Sequence, residues 1–334
     1  AVNSMWSQMY DGVFEANRAI DELLPFKESP AAKINIAKLP TLRALYYYLL
    51  IDNYGDVPYV TSFFTAEKQP KKNTRAEIHA ALVKELRENL QYLPVSTNKY
   101  AVSKGLALTL LAKLYLNAEV YTGTPRWAEA EAMCDSVISL GIYQLESNPL
   151  GPFIAANENS IENIFTIPFD AQNLKGFRLH MRTLHYQSNL TFDMNVGPWN
   201  GFAATEAHYN SYEDKDLRKK GFLVGPQLTS KGEKIFDQTA NAELSFDPHI
   251  PALVMDASYT YKEIRMSGAR VIKYQVEKGA LENLNNDFPI FRYADVLLMK
   301  AESVIRQNRN GDSYVNEVRR RAGVSDWNNT TLEM

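Results

Sequence analysis

Cysteine is almost absent from this chain, which contains a single one, Cys134, among 334 residues. One thiol excludes an internal disulfide and a cysteine-based zinc site, because either needs a further thiolate or a nearby histidine cluster. Cys134 falls at a helical position between Trp127 and Leu140, and free cysteines are commonly buried. We therefore predict a buried, unreactive thiol.

Long apolar runs and an excess of positive charge are also missing. No stretch approaches the roughly 18 apolar residues that a membrane-spanning helix requires. The 36 basic and 39 acidic residues leave a formal net charge of −3, so the basic surface typical of nucleic-acid binding is not expected. Nucleic acid is therefore excluded from the predicted partners.

Recognisable catalytic motifs are lacking as well. The sequence has no Walker loop, no dinucleotide-binding glycine pattern and no Gly-x-Ser-x-Gly turn. Its five histidines lack the helical pairing of a metalloprotease, and His180 and His185 lie five residues apart in a loop-like region. We predict no catalytic residue, no metal site and no cofactor. A glycan-active enzyme stays open as an alternative, because carboxylate pairs cannot be located from sequence.

Helical patterns occupy both ends of the chain. Apolar residues three to four apart predict a helix over 4–24, and a second is expected over about 39–54, opened by Pro40 and stopped by Gly55. Capping residues Thr74 and Ser103 begin two more. Further helices are expected at about 127–140, 293–308 and 313–322, and their spacing is typical of tetratricopeptide-like pairs without a strict repeat.

The region between these helices has a different texture. From about 141 to 287, glycine, proline, asparagine and aromatic residues interleave, and short strands are predicted at 164–169 and 270–276. Irregular segments of this kind often carry function. We predict a mainly α fold in a single domain, 1–334, with a helical scaffold at about 1–140 and 288–324 and a loop-rich insert at about 141–287 that contains a few short β-strands.

Aromatic residues supply the candidate binding surface, since the chain holds 19 tyrosines, 15 phenylalanines and 4 tryptophans. A sugar presents an apolar face and a polar rim, so a glycan site needs exposed rings beside hydrogen-bonding groups. Trp199, in a Pro/Gly-rich loop, is the first candidate. The other candidates, in the insert or near the first helices, are Asn200, Phe202, Tyr209, Tyr186, Trp6 and Phe63.

Three ordered segments give the chain a family resemblance. The first is LRALYYYLLIDNYGDVPYVT at 42–61, and the second combines VSKGLALTLLAKLYL at 102–116 with WAEAEAMCDSVISLGIYQL at 127–145. The third joins DFPIFRYADVLLMKAES at 287–303 to VNEVRRRAGV at 315–324. Together they resemble the SusD/RagB family of outer-membrane nutrient-binding lipoproteins, and they cover about a third of the chain. Relative to that family, the sequence looks clipped at both ends.

The resemblance implies a function that the motifs alone do not give. It implies non-catalytic capture of oligo- or polysaccharide at the surface of a Gram-negative bacterium of the Bacteroidota. The ligand would pass to a SusC-like TonB-dependent transporter, and an N-terminal lipid anchor outside this sequence would hold the protein to the outer membrane. The resemblance allows a structural divalent cation such as calcium, but no ligand set for one is visible.

Two other readings stay open at this point. A peptide-binding, RagB-type protein shares the same motifs, because ligand residues of the family lie in variable loops. An intracellular tetratricopeptide-like scaffold for protein partners is the other alternative. Neither the glycan nor the position of its site follows from the shared segments.

Overall fold

The computed structural model describes residues 2–65 and 67–333, and this part of the chain is mainly α-helical, as predicted. Seven helices of ten or more residues form the scaffold: α1 Val2–Leu23, α2 Pro30–Tyr54, α3 Arg75–Asn89, α4 Lys104–Leu116, α6 Trp127–Ser139, α11 Tyr293–Arg306 and α12 Asp312–Arg321. A short α5, Ala118–Thr122, follows α4 after a break at Asn117.

Two helix starts follow directly from the capping residues. The Thr74 side chain accepts a hydrogen bond from the amide of Glu77, and the Glu77 side chain accepts one from the amide of Thr74. Ser103 caps α4 through the amide of Leu106. Both predicted caps are confirmed, because each satisfies amides that the first helical turn leaves without a partner.

The predicted start of α2 was wrong. The helix begins at Pro30, ten residues before Pro40, which lies buried inside it. A proline within a helix removes one hydrogen bond at a cost of about 3 kcal/mol, and burial of neighbours such as Ala37 and Leu45 offsets that cost. The predicted end is confirmed at Gly55, whose φ of 77° suits glycine and whose amide donates to the carbonyl oxygen of Ile51.

The main core lies between these helices. Helices α1, α2 and α3 pack in sequence, α4 packs on α6, and α11 packs on both α6 and α12. Fully buried side chains such as Tyr47, Leu50 and Tyr115 fill this core. Cys134 is also buried, as predicted, and its burial raises the pKa of the thiol to about 12. None of the described helices is both long enough and apolar enough to cross a membrane.

Only short elements occur between residues 141 and 287. The helices there are α7 Leu179–Thr183, α8 Ser188–Phe192, α9 Glu206–Asn210 and α10 Tyr261–Met266. The strands form antiparallel pairs: β4 Phe222–Leu223 with β9 Arg270–Val271, β5 Gly225–Pro226 with β8 Ser245–Phe246, and β6 Phe236–Asp237 with β7 Ala242–Glu243. A further pair, β1 Val57–Pro58 with β2 Lys72–Asn73, lies next to α2.

One longer ladder joins the insert to the scaffold. Strand β3, Asn163–Ile167, pairs antiparallel with β10, Phe288–Arg292, which leads directly into α11. Ile164 and Phe291 of this ladder are buried in the main core. The chain therefore leaves this ladder after residue 167 and returns to it at residue 288, and two smaller clusters of buried residues lie in the insert.

Candidate functional site

The loop at 197–202 is tied to the preceding segment 181–186 by main-chain hydrogen bonds. The amides of Trp199, Asn200 and Phe202 donate to carbonyl oxygens of that segment at 2.6, 2.9 and 2.8 Å. Each bond satisfies a backbone donor and holds one point of the loop. The side chains of the loop are therefore presented from a fixed base.

Two glycines allow this close contact. A Cβ atom on Gly201 would lie 3.2 Å from the carbonyl oxygen of Arg182, and one on Gly197 would lie 3.1 Å from that of Tyr186. Contacts this short require the neighbouring backbone to move by a few tenths of an ångström, so a larger residue would strain the packing of the loop on its base. The two glycines therefore allow the loop to pack closely against segment 181–186.

Three aromatic side chains of this region are exposed. Tyr186 is 43% exposed, Trp199 is 42% exposed and Phe202 is 60% exposed. We call these three residues the aromatic platform. Exposed rings also occur singly elsewhere on the chain, for example at Phe26 and Phe64, so the feature that marks this surface is the presence of three exposed rings on one anchored loop and its base.

Arginines support two of the platform rings. The guanidinium carbon of Arg182 lies 5.7 Å from the ring centroid of Trp199, and that of Arg265 lies 4.5 Å from the ring centroid of Tyr186. A cation at this distance is attracted to the ring and restricts its motion. Arg182 is itself exposed, so its guanidinium is available to a ligand next to Trp199.

Beneath Tyr186 lies a buried polar network centred on Asp237. The Asp237 carboxylate accepts hydrogen bonds from Nε of Arg265 at 2.7 Å and from a terminal nitrogen at 3.2 Å. Nε2 of His185 lies 3.1 Å from the same carboxylate. Asp237 and His185 are almost completely buried. The network therefore fixes Arg265, and through it the Tyr186 ring.

The protonation states of this network follow from burial and neighbouring charge. Burial lowers the pKa of His185 to about 4, despite the attraction of Asp237. Burial opposes ionisation of Asp237, but the hydrogen bonds from Arg265 and from the amide of Ala240, together with the charge of Arg265, outweigh it and the pKa of Asp237 lies below its usual value. At neutral pH the network contains an ion pair and an uncharged imidazole.

Asn200 has a supporting position in the loop. It adopts a left-handed backbone with a φ of 54°, and its Nδ2 donates to the carbonyl oxygen of Arg265 at 3.2 Å. Its Oδ1 is buried without a hydrogen-bond partner among the described residues. The side chain is turned into the protein by this backbone conformation, so the predicted ligand contact of Asn200 is not supported by its position.

Tyr209 belongs to a different aromatic group. Its ring centroid lies 5.8 Å from that of Phe222, and the ammonium of Lys219 lies 4.6 Å from the Tyr209 centroid. Between Phe202 and Tyr209 the chain forms a β-bridge from Ala204 to the start of β9, which redirects it. Proximity in the sequence therefore does not place Tyr209 on the platform.

Trp6 and Phe63 lie on the scaffold. The Trp6 ring packs against Tyr10 and Tyr54 with centroid distances of 4.9 and 5.1 Å, so it joins α1 to α2. Phe63 is 43% exposed, and its amide donates to the carboxylate of Asp21 on α1. Neither residue is brought to the platform, because α1 and α2 position both of them.

A groove of about 470 Å³ continues from the platform at Arg182. Its walls include the rings of Phe169, Phe177 and Phe288 together with Arg178. These groove residues and Arg265 were not predicted from the sequence. Arginine often packs beside aromatic rings, but the sequence does not show which arginine meets which ring in the folded protein.

Metal ligands are not grouped anywhere in the described ranges 2–65 and 67–333, where no three histidine, cysteine or acidic side chains converge. His180 and His185 make separate contacts: Nε2 of His180 lies 2.8 Å from the carbonyl oxygen of Leu281, and His185 faces Asp237. The structure thus offers no obvious position for a divalent cation in this part of the chain.

Sequence profiles of two related families match the chain. A profile described as "SusD family" matches residues 256–333, and one described as "Starch-binding associating with outer membrane" matches residues 1–116. Among curated proteins, the starch-binding protein SusD of Bacteroides thetaiotaomicron is 25% identical, over 89% of this chain and 59% of its own length. SusD-like protein P25 of Formosa agariphila is 23% identical, over 96% of this chain and 62% of its own length.

Solved structures share the fold. A SusD superfamily protein from Parabacteroides distasonis superposes with a TM-score of 0.79 at 23% identity, over 99% of this chain and 69% of that one. Surface glycan-binding protein A of Bacteroides thetaiotaomicron, in complex with laminarihexaose, gives a TM-score of 0.71 at 21% identity, over 98% and 70% of the two chains.

The chain spans about three fifths of the length of the curated relatives that it matches. The two profile matches lie at the two ends of the chain, and the fold of the whole chain is similar to that of the SusD superfamily protein. The chain is therefore similar to SusD-like proteins in the sequence of both of its ends and in its fold.

Proposed function

We propose that this protein binds oligo- or polysaccharide without transforming it, and that the aromatic platform is the contact surface. The observation that carries the proposal is the exposure of Trp199 and Phe202 on the loop 197–202 and of Tyr186 on its base segment 181–186, which are held together by main-chain bonds and supported by two arginines. Rings fixed in this way bind the apolar face of a sugar with little loss of side-chain freedom.

The polar groups beside the platform suit sugar hydroxyls. Arg182 presents guanidinium donors next to Trp199, and the groove that starts there adds Arg178 and further rings. Donors arranged around an apolar surface give orientation and specificity to a bound glycan. The relative bound to laminarihexaose and the starch-binding relative support carbohydrate as the ligand class.

We further infer a role at the cell surface, on the family resemblance. There the protein would be anchored by lipid to the outer membrane and would deliver its ligand to a SusC-like TonB-dependent transporter. Co-purification of the full-length natural protein with such a transporter from the outer-membrane fraction tests this placement. Recovery of the full-length protein only from the cytoplasm would contradict it.

Binding of neutral oligosaccharides by calorimetry tests the platform. Laminarihexaose, maltoheptaose and a xyloglucan oligosaccharide form the panel, together with peptides of mixed sequence. We expect Trp199→Ala and Phe202→Ala to weaken the best glycan at least about tenfold, or about 1.4 kcal/mol. Phe26→Ala is the matched control, because Phe26 is similarly exposed, at 64%, but lies after α1 on the scaffold.

Three results would overturn parts of this proposal. Unchanged glycan affinity in both platform variants would remove the site, and binding of peptides alone would replace the ligand class. Release of shorter products during a long incubation with polysaccharide would contradict the non-enzymatic role.

A further inference from the structure

A second cavity lies away from the platform, between the insert and the last two helices. It has a volume of about 720 Å³ and is lined by residues of α9, β4, β9, β10, α11 and α12. None of Tyr186, Trp199 and Phe202 borders it. A pocket of this size accommodates a ligand of two or three sugar units.

Positive charge dominates the cavity walls. Arg218, Lys273, Arg292 and Arg321 line it, against a single carboxylate, Asp295. Asp295 is already paired, since its carboxylate lies 2.7 Å from the ammonium of Lys113 on α4, outside the cavity. The acidic wall residue therefore does not neutralise the cations.

Two of the cations share one counter-ion. The buried carboxylate of Glu162 pairs with Arg292 at 2.7 Å and with Arg321 at 2.6 Å. Arg218 has its own partner in Asp216, at 2.6 Å. The single negative charge of Glu162 therefore balances only one of the two positive charges of Arg292 and Arg321.

Lys273 has no carboxylate partner within the described residues. Its ammonium lies 4.3 Å from the ring centroid of Phe153, and the guanidinium carbon of Arg292 lies 4.9 Å from the same centroid. Two cations thus contact one ring, and the Lys273 side chain is exposed where it lines the cavity. Cations without partners in a partly enclosed site favour an anionic ligand.

Aromatic rings complete the cavity. Phe288 is 39% exposed, and Phe222 and Tyr212 are half-buried. The ring centroid of Tyr212 lies 5.5 Å from that of Phe222, and the ring centroid of Phe288 lies 6.0 Å from that of Tyr274. The walls therefore combine apolar ring faces with unpaired positive charge, which matches the two chemical features of an acidic sugar.

We propose that this cavity is a second carbohydrate subsite, specific for a sugar that carries a carboxylate or a sulfate group, with Lys273 and Arg292 as the anion-binding residues. The proposal rests on the carbohydrate-binding function proposed above and adds the charge class of the ligand. It is independent of the platform in its residues, so the two sites are tested separately.

The state of Lys273 supports this assignment. Burial of its amine by the cavity walls, together with the charge of Arg292, lowers the pKa of Lys273 to about 8. The ionisable groups that line the cavity with it are His208, Tyr212, Arg218, Tyr274, Arg292, Asp295 and Arg321. An anion favours the protonated amine, so its affinity should fall as pH rises from 7 through 8 to 9.5.

Calorimetric titration of the whole chain with two acidic probes tests the proposal. Trigalacturonic acid carries carboxylates and a κ-carrageenan tetrasaccharide carries sulfates, and galactotriose and neoagarotetraose are their uncharged counterparts. We expect one acidic probe to bind at least about tenfold more tightly than its counterpart, and Lys273→Gln to remove that preference. The probe that binds identifies the carboxylate or the sulfate as the source.

Two further variants separate the subsite from general charge effects. Lys262→Gln removes the same charge from an exposed position on α10 outside the cavity and should leave the affinity unchanged. Lys273→Arg should keep the preference for the acidic probe but lose the decrease in affinity between pH 7 and 9.5, because arginine stays charged there.

Equal affinity for acidic and neutral probes, no detectable binding of either acidic probe, or equal losses in the Lys273→Gln and Lys262→Gln variants would overturn the proposal. Neutral glycans that still lose affinity in Trp199→Ala would then leave the platform function intact. A negative result for the cavity is therefore distinguishable from a negative result for the platform.

Discussion

His185 connects the acid stability of the insert to its platform. The imidazole is completely buried, between Asp237 and the ring of Phe246, and next to Tyr186 in the chain. Its pKa of about 4 in the folded protein lies below the usual value of 6.5. Between these two values the unfolded chain binds a proton that the folded chain does not, so stability falls as pH decreases.

We expect the free energy of unfolding to decrease by up to about 3 kcal/mol between pH 7 and 4 on account of His185. Urea titrations of the wild type and of His185→Gln at several pH values measure this pH-dependent loss of stability, which the variant should not show. His249→Gln is the control, because the hydrogen bond to Glu206 raises the pKa of exposed His249 and gives a pH dependence of opposite sign. An unchanged pH profile in His185→Gln would contradict the assignment.

Individual residues also mark the limit of prediction from sequence. Trp199 and Phe202 stand out because they occur in a Pro/Gly-rich loop, where a large ring has no helix face to fill. Only the fold reveals the hydrogen bond from Asn200 to the carbonyl oxygen of Arg265, and the ligand contact of Asn200 stays a prediction. Arg265 itself lies 66 positions from Trp199, a separation that local pattern cannot bridge.

At the scale of elements, α10 is a small helix with a specific task. It carries Arg265, which supports Tyr186, and it begins with a capping box in which Thr260 and Glu263 exchange hydrogen bonds. A helix of six residues has little stability of its own, so its cap matters more than in a long helix. The cap of α10 is therefore part of the support of the platform.

Thr260→Ala should lower the stability by about 1 kcal/mol and weaken glycan binding several-fold, because Arg265 becomes less well ordered. Thr74→Ala removes the same kind of capping box from α3, on the scaffold, and is the matched control. We expect it to lower stability by a similar amount with unchanged affinity. Equal affinities of the two variants, measured by calorimetry, would contradict a role of α10 in binding.

Elements with strong local signals were predictable. The caps at Thr74 and Ser103 and the stop at Gly55 come from side chains that act within one helical turn. Pro40 misled the prediction of α2, since tertiary burial decides whether a proline is tolerated inside a helix. The two-residue strands of the insert carry almost no periodicity, so their pairing was beyond reach.

At the scale of the whole molecule, Glu162 joins three parts of the fold. It precedes β3, and its carboxylate is completely buried between Arg292, at the end of β10, and Arg321 of α12. Removing the charge would leave two arginines without their counter-ion in a poorly hydrated position. This group couples the base of the insert to the last helical pair.

Glu162→Gln should lower the free energy of unfolding by about 3–5 kcal/mol, since a broken buried ion pair leaves uncompensated charge. Glu243→Gln is the comparison, because it removes an exposed pair with Lys234, at 2.9 Å, and should cost little. Thermal and urea unfolding of both variants measure the difference. Similar stability of the two variants would argue against a coupling role for Glu162.

The division into scaffold and insert within one domain stays a prediction. It is supported by the positions of the long helices, before residue 140 and after residue 292, and by the separate buried clusters of the insert. The helical scaffold could be predicted from the family resemblance because the shared motifs lie in it. The ligand-binding face could not be predicted in this way, since its residues come together only after the insert has folded.

The β3–β10 ladder has a consequence for how such proteins diversify. It brings residues 163–167 beside 288–292, so about 120 residues depart from and return to one closed base. The cost of closing a loop rises only slowly with its length. Inserts of different length and composition can therefore be exchanged at this base by evolution or by grafting, while the helices that would face a partner keep their arrangement.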